Sequence, residues 1–395
     1  MESKSIHVGD LLEVTTEGLA YGGDAIARHE GLAIFVSFAA PKERLRVRIT
    51  ERKKNFARGI VDQVLEASPT RREPHCQYFG VCGGCQLQHI GYDAQLAAKT
   101  GFVRDALERI GRIDWPHEIP IHHAEEFGYR TRAQVRIDPK TGRVGFNRAA
   151  SNVLCDVESC PILVPELDQA LRSLRTTAAT APFADRAQVE IAAGHAGVAF
   201  EPAPGDLPGG TLQQTVSGAV YEFSPSTFFQ GKAGLLEKMV EEAVGAASGS
   251  LAIDLYAGVG LFTIQLARAF KRVIGVENDQ RSAGFARRNI ATNRVTNIEY
   301  HRSDAEQWLN EFPQTSHTPV DLVLLNPPRT GAAEAIPRIA DLNPTRVTYV
   351  SCDPPTLARD LRGLIESGYE LSRVAAIDLF PQTYHIETIA ALERR

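Results

Sequence analysis

One stretch limits the fold of this chain more than any other: Leu251-Ala252-Ile253-Asp254-Leu255-Tyr256-Ala257-Gly258-Val259-Gly260-Leu261-Phe262-Thr263. An apolar run of strand length stops at a glycine turn and re-enters apolar sequence as a helix start. Glycines at such a turn let a ligand approach the backbone at a helix N-terminus. Four more strand-like runs follow, at 272–276, 299–302, 320–325 and 347–350. Strands alternating with helical stretches predict a doubly wound, Rossmann-like α/β domain over residues 246–395.

Open α/β sheets carry their chemistry at the carboxyl ends of the strands. Glu277 closes the second strand, where an acid can hold both hydroxyls of a ribose. The third glycine of the dinucleotide fingerprint is missing, which disfavours NAD. Asp-x-x-x-Gly-x-Gly followed by an acid after the second strand is instead the pattern of S-adenosylmethionine enzymes. Asp304, after the third strand, is placed either to reach an adenine amino group or to cap the next helix. Asn326-Pro327-Pro328-Arg329 ends the fourth strand.

Cys352 ends the fifth strand, and Pro354-Pro355 forbid its continuation. A thiol there is a nucleophile if its pKa is lowered, or a small buried residue if it is not. Glu387 is polar within an apolar run over 384–390. It is either a surface carboxylate or a pKa-shifted one. Gln230 is a polar residue just ahead of an amphipathic helix at 232–244.

The chain has 395 residues, 43% hydrophobic and 23% charged, with a formal charge of -5. That predicts a soluble chain of two or three domains whose overall charge does not advertise nucleic acid. No apolar run approaches the roughly 20 residues of a membrane span. The start, MESKSIHVGD, lacks an apolar signal core. A cytoplasmic location is therefore expected, with reduced thiols that act as ligands, catalysts or core.

Residues 1–66 contain several short strand-like runs with glycine turns, which predict a small β-barrel. Residues 44–49 alternate charged and apolar strictly. Between Lys42 and Arg58 there are eight basic and two acidic residues. A basic face on a small barrel suits a phosphate backbone; a merely solvated strand face is the plainer reading. The pattern resembles the TRAM domain.

Cys76, Cys82 and Cys85 lie in one glycine-rich loop, CQYFGVCGGC. Cys160, followed by Pro161, is a fourth candidate, and Cys155 competes for that place. Three thiols from one end and one from the other fit an iron–sulfur cluster better than structural zinc. Unligated thiols remain the third reading. The middle of the chain reads as a helix at 92–110, a strand at 127–137 with a hairpin partner at 142–146, a helix at 167–174 and paired strands at 189–192 and 197–200.

Taken jointly and in order, CQYFGVCGGC, FSPSTFFQ, DLYAGVG, LLNPPRTG, YVSCDP and HIETI resemble the 5-methyluridine RNA methyltransferase family. The branch with a TRAM domain and a 4Fe–4S cluster looks like the 23S ribosomal RNA uracil methyltransferases. The resemblance implies a class I methyltransferase domain over 91–119 and 229–395, an α+β central domain over 67–90 and 120–228, and a TRAM-like, OB-like barrel over 1–66. It implies Cys352 as nucleophile and Glu387 as base. Gln230, Tyr256, Gly258, Glu277, Asp304 and Asn326 match cofactor-contact positions. Cys76, Cys82, Cys85 and Cys160 match cluster ligands. RNA is the implied partner, 23S rRNA first and transfer RNA second, with no membrane and no obligate protein partner. A cytosine-5 methyltransferase is disfavoured, because 326–328 lacks the cysteine after a proline that such enzymes carry. Asn326 stands where the family usually has Asp, so it can contact a ligand but carries no charge.

Overall fold

Strict alternation in the strand Arg44–Arg52 buries Leu45, Val47 and Ile49 and leaves Arg44 and Arg48 in solvent. A strand with one wet face closes well into a barrel. The computed structural model, which describes residues 6–180, 188–229, 233–312 and 319–395, forms that barrel from Leu11–Leu19, Ala25–His29, Leu32–Ser37, Arg44–Arg52 and Phe56–Glu66. Ala25–His29 is a strand the glycine punctuation around it had hidden. Five of the basic residues are ion-paired within the barrel: Arg44 with Glu66 (2.8 Å), Arg46 with Glu13 (3.6 Å), Arg48 with Asp62 (2.5 Å), Arg58 with Asp24 (2.7 Å) and Lys53 with Glu51 (3.0 Å). Much of the local basic excess read from 42–58 is thus neutralised by Glu13, Asp24, Asp62 and Glu66, which precede and follow it.

The chain divides into two compact units. One comprises Met1–Phe102, Phe146–Val157 and Phe380–His385; the other comprises Val103–Gly145, Glu158–Leu379 and Ile386–Arg395. In the first, Arg71 pairs with the fully buried Glu43, whose carboxylate also accepts the Ala40 amide at 2.8 Å.

In the second unit Gln188–Gly194 pairs antiparallel with Gly197–Glu201 and with Arg132–Ile137. The strand expected over 127–137 starts only at Arg132, because Arg130 hydrogen-bonds to the backbone at Ile162 instead. The helix expected over 92–110 is α-helical over Tyr92–Ala106 and ends in a π-helical turn, Leu107–Gly111.

The same unit holds an eight-stranded sheet. Its order is Ile298–Arg302, Phe270–Glu277, Gly249–Leu255, Leu322–Leu325, Arg346–Ser351, Glu387–Arg394, Tyr369–Ile377 and Ile121–His122. The first five strands are parallel, and Glu387–Arg394 runs antiparallel to both neighbours. Strand order reverses at Gly249–Leu255, which makes the crevice beside its carboxyl end the favoured ligand site. Leu251, Ile253, Leu255, Val323, Leu325, Val347 and Tyr349 fill the core. Tyr369–Ile377 was not legible as a strand: Arg373 breaks the alternation of Tyr369–Ser372, where a bulge lies between Leu371 and Arg373. Among the described residues, no helix is long and apolar enough to cross a membrane.

Candidate active site

The expected strand end at Cys352 is realised. Arg346–Ser351 stops at Ser351, and Asp353 caps the helix Pro354–Glu366 by accepting the Thr356 amide. The antiparallel ladder ends at the pair Ser351↔Thr388, the neighbours of Cys352 and Glu387, and the Glu387 charge acts on the Cys352 thiol. Sheet register alone therefore brings together two residues 35 positions apart in the chain. Burial pushes the Cys352 thiol up to about 11, with the Glu387 charge adding to the rise. Arg329 opposes both, through its charge and a hydrogen bond to Cys352, while Asp353 raises the thiol further. Glu387 is 2% exposed, and burial pushes its carboxyl up to about 8, again against Arg329. Burial thus favours the neutral form of both groups, and the Arg329 guanidinium favours their charged forms.

Arg329 went unassigned from sequence. It lies in the Asn326–Arg329 segment after the fourth strand, and a cation directly after two prolines at a strand end was the signal available. Asn326 follows Leu322–Leu325, with its amide donating to the Leu255 carbonyl at 3.3 Å.

At the glycine turn, Gly258 has φ +58 and Gly260 has φ +88. A Cβ built on Gly258 meets nothing within 4 Å, so the turn faces open space. Glu277 accepts the Gly258 amide (2.9 Å) and the Asp279 amide (2.7 Å). Asp254, fully buried, accepts the Thr263 hydroxyl at 2.5 Å through Oδ2, and its Oδ1 has no hydrogen-bond partner. Burial raises the Asp254 carboxyl to about 7, with Glu277 adding like-charge repulsion. The Tyr256 hydroxyl donates to Glu306 at 2.7 Å. Asp304 is the cap of Ala305–Glu311, accepting the Glu306 and Gln307 amides at 3.1 Å each. The capping reading of Asp304 is thus realised. Buried and half-buried carboxylates around an open turn suit a cationic ligand, and S-adenosylmethionine carries a sulfonium and an ammonium.

Gln230 lies outside the described residues. The loop before it is anchored: the Arg132 guanidinium donates to the Thr227 carbonyl (2.6 Å), and the Ser226 amide to Glu201 (3.1 Å). Phe229 stacks on Phe223 with centroids 4.7 Å apart, whereas Phe228 is 60% exposed. The sequence reading did not single out Phe228; an aromatic beside a polar residue at a helix start was its only mark.

Of the six free cysteines, Cys76, Cys82, Cys85 and Cys155 belong to one compact unit. The Gly83 amide donates to the Asn147 carbonyl (2.9 Å) and the Ala149 amide to the Val81 carbonyl (3.0 Å). These bonds staple the cysteine loop to the hairpin that returns through Leu154–Asp156. Cys155 is 4% exposed, and its thiol is within hydrogen-bond reach of Cys82. The Cys82 sulfur accepts the Gly84 amide at 3.4 Å. Cys160 lies in the other unit, where its amide donates to Asp168 at 2.7 Å. Among the described residues, no three His, Cys, Asp or Glu groups stand together closely enough to hold a metal ion.

Residues 210–395 match the tRNA (Uracil-5-)-methyltransferase family, and residues 7–61 match the TRAM domain. The chain is 34% identical to the 23S rRNA (uracil(1939)-C(5))-methyltransferase RlmD of Salmonella typhi, over 97% of this chain and 96% of that relative. It is equally identical, at 34%, to the enzyme of the same name from Klebsiella pneumoniae, over 98% of this chain and 96% of the relative. In fold it resembles Pyrococcus abyssi tRNA (uracil-54, C5)-methyltransferase, solved with S-adenosyl-L-homocysteine, with a TM-score of 0.74 at 24% identity over 96% of this chain and 100% of that one. The chain is an S-adenosylmethionine-dependent methyltransferase and belongs to the family of RNA uracil-C5 methyltransferases.

Proposed function

We propose that the protein methylates carbon 5 of one uridine class in RNA, 23S rRNA first, with Cys352 as nucleophile and Glu387 as base. What supports this reading is the pair Ser351↔Thr388 next to Cys352 and Glu387, together with the Arg329 charge acting on both groups. Carbon 5 of uracil is a weak nucleophile. Once the Cys352 thiol has lost its proton to solvent, addition of its sulfur to carbon 6 forms a carbon–sulfur bond, breaks the carbon 5–carbon 6 double bond and shifts electron density to the ring oxygen and carbon 5, which would then bond to the incoming methyl group. Arg329 favours the thiolate that this addition requires. Bound S-adenosylmethionine supplies the methyl group and brings positive charge to the site. Glu387, as carboxylate, then takes the carbon 5 proton; the electron pair re-forms the ring double bond and expels the Cys352 sulfur. The ring must be flipped out of its stack to reach a sulfur at a strand end, and exposed Phe228 offers a stacking face beside the site-forming loop.

Gly258, Glu277, Asp254, Tyr256, Asn326 and Gln230 would hold the cofactor. Asp304 would act through Glu306 and Tyr256. The barrel would bind the RNA backbone, helped by Lys42, Arg52 and Lys54, for which no carboxylate partner is described. We also read Cys76, Cys82, Cys85 and Cys160 as ligands of a 4Fe–4S cluster in a reducing, cytoplasmic setting. All-thiol donors, an amide aimed at a ligand sulfur and a stapled loop support that reading. The domain division stays as proposed from the sequence: 1–66, then 67–90 with 120–228, then 91–119 with 229–395.

Transfer of labelled methyl from S-adenosylmethionine to 23S rRNA and tRNA transcripts tests the function. Label is expected in 5-methyluridine of the 23S transcript. Label in 5-methyluridine of tRNA alone moves the substrate assignment, and label in 5-methylcytidine overturns it.

A further inference from the structure

The helix Pro354–Glu366 begins two residues after Cys352, and three of its side chains hold the 329–332 loop. The Thr356 hydroxyl donates to the Arg329 carbonyl (3.2 Å), and the Arg359 guanidinium donates to the Thr330 carbonyl (3.0 Å). The Asp360 carboxylate accepts the Ala332 amide at 2.7 Å. Asp360 is only 2% exposed, and its bonds to Ala332, Tyr349 and Arg359 converge on this junction. Its Oδ2 also takes the Tyr349 hydroxyl from the fifth strand (2.7 Å), and its Oδ1 takes Nε of Arg359 (2.8 Å). Gly331 sits at φ +77, and a Cβ there would lie 2.4 Å from Arg359 and 2.6 Å from Asp360. The loop is therefore built directly against this carboxylate.

We propose that Asp360 is a positioning residue for the methylation chemistry: it ties the 329–332 loop to the strand and helix that flank Cys352, and so fixes the Arg329 guanidinium against Cys352 and Glu387. A buried carboxylate serving three donors from three segments is a stiff joint. No part of it touches substrate. The inference rests on the reading of Arg329 given above. The charged groups facing Cys352 are Glu387, Arg329 and Asp353, and Arg329 faces Glu387. Of these, only Arg329 favours the charged forms, so a displaced Arg329 has one signature. The deprotonations that the reaction needs move to higher pH.

The test uses the full-length protein, labelled S-adenosylmethionine and whichever RNA transcript the wild type methylates. Asp360→Asn is expected to lower kcat about 10–100-fold, the usual cost of a lost supporting contact. The KM for S-adenosylmethionine should stay within about twofold, and the acidic limb of the kcat profile should move to higher pH, as it does in Arg329→Gln. Tyr349→Phe removes one bond to the same carboxylate without touching the loop. Because this bond is the tie to the strand, Tyr349→Phe should lower the melting temperature and move the limb by less than Asp360→Asn does. If Asp360→Asn does not fold, Thr356→Val carries the same expectation with a smaller shift. An Asp360→Asn or Thr356→Val limb that coincides with wild type overturns the proposal, as does a Tyr349→Phe limb that moves as far. An Arg329→Gln limb identical to wild type sinks the Arg329 reading instead, and this proposal with it.

Discussion

The two ends of one sheet treat their carboxylates in opposite ways. Beside the first two strands, Glu277 is held by two backbone amides, at 2.9 and 2.7 Å. Beside the fifth strand, Glu387 is buried, and its carboxyl rises to about 8. Amide donors stabilise the charged form, and burial stabilises the neutral one. The first arrangement suits a binding group held in one place by its backbone donors. The second suits a group that must take and release a proton near neutral pH. Similar side chains on one sheet thus stand in different surroundings, one set by amide donors and the other by burial.

That contrast can be broken at several points. The largest effect is expected for Cys352→Ala, which should bind RNA yet lose methyl transfer by roughly 10⁴-fold or more, as when a covalent nucleophile is removed. Substantial turnover by this variant would remove the nucleophile assignment. Arg329→Gln should cost roughly 100-fold in kcat and raise the pH of the acidic limb. Glu277→Gln belongs to the other end: it should raise the KM for S-adenosylmethionine about tenfold with kcat nearly intact. A kcat loss without a KM change would erase the distinction drawn between the two acids.

Stability should follow the same division. The folded pKa of Glu387 lies above its unfolded value, so the unfolded chain loses that proton first as pH rises. Stability therefore falls between about pH 4.3 and 8, by up to roughly 1.4 kcal/mol per pH unit. Glu387→Gln should melt higher than wild type at pH 9 and no higher at pH 4, which differential scanning calorimetry can follow. The smallest effect is expected for Asp304→Ala, which loses a helix cap worth about 1 kcal/mol. In the cysteine loop, Cys85→Ser should bleach the visible absorbance of a brown protein. A colourless wild type holding stoichiometric zinc would exclude the cluster.

Much of this was legible before any coordinates, and the exceptions have physical causes. Strand ends at Glu277 and Cys352 were readable because an apolar run meets an acid or a proline. The facing of Cys352 and Glu387 was not, because it depends on antiparallel register with a strand whose neighbour, Tyr369–Ile377, hides behind a bulge. Arg329 and Asp360 escaped notice because single charged residues in loops and helices carry no period. The basic run at 42–58 misled in part, since the carboxylates that neutralise it come from distant strands.

The most direct measurement is peptide mapping by mass spectrometry of Glu387→Gln after incubation with RNA and S-adenosylmethionine. With proton removal blocked, a methylated pyrimidine should remain bonded to the peptide that carries Cys352, and to no other. A wild type that methylates uridine, alongside a variant that shows no such adduct or carries it on a different residue, would contradict the pairing on which this account depends.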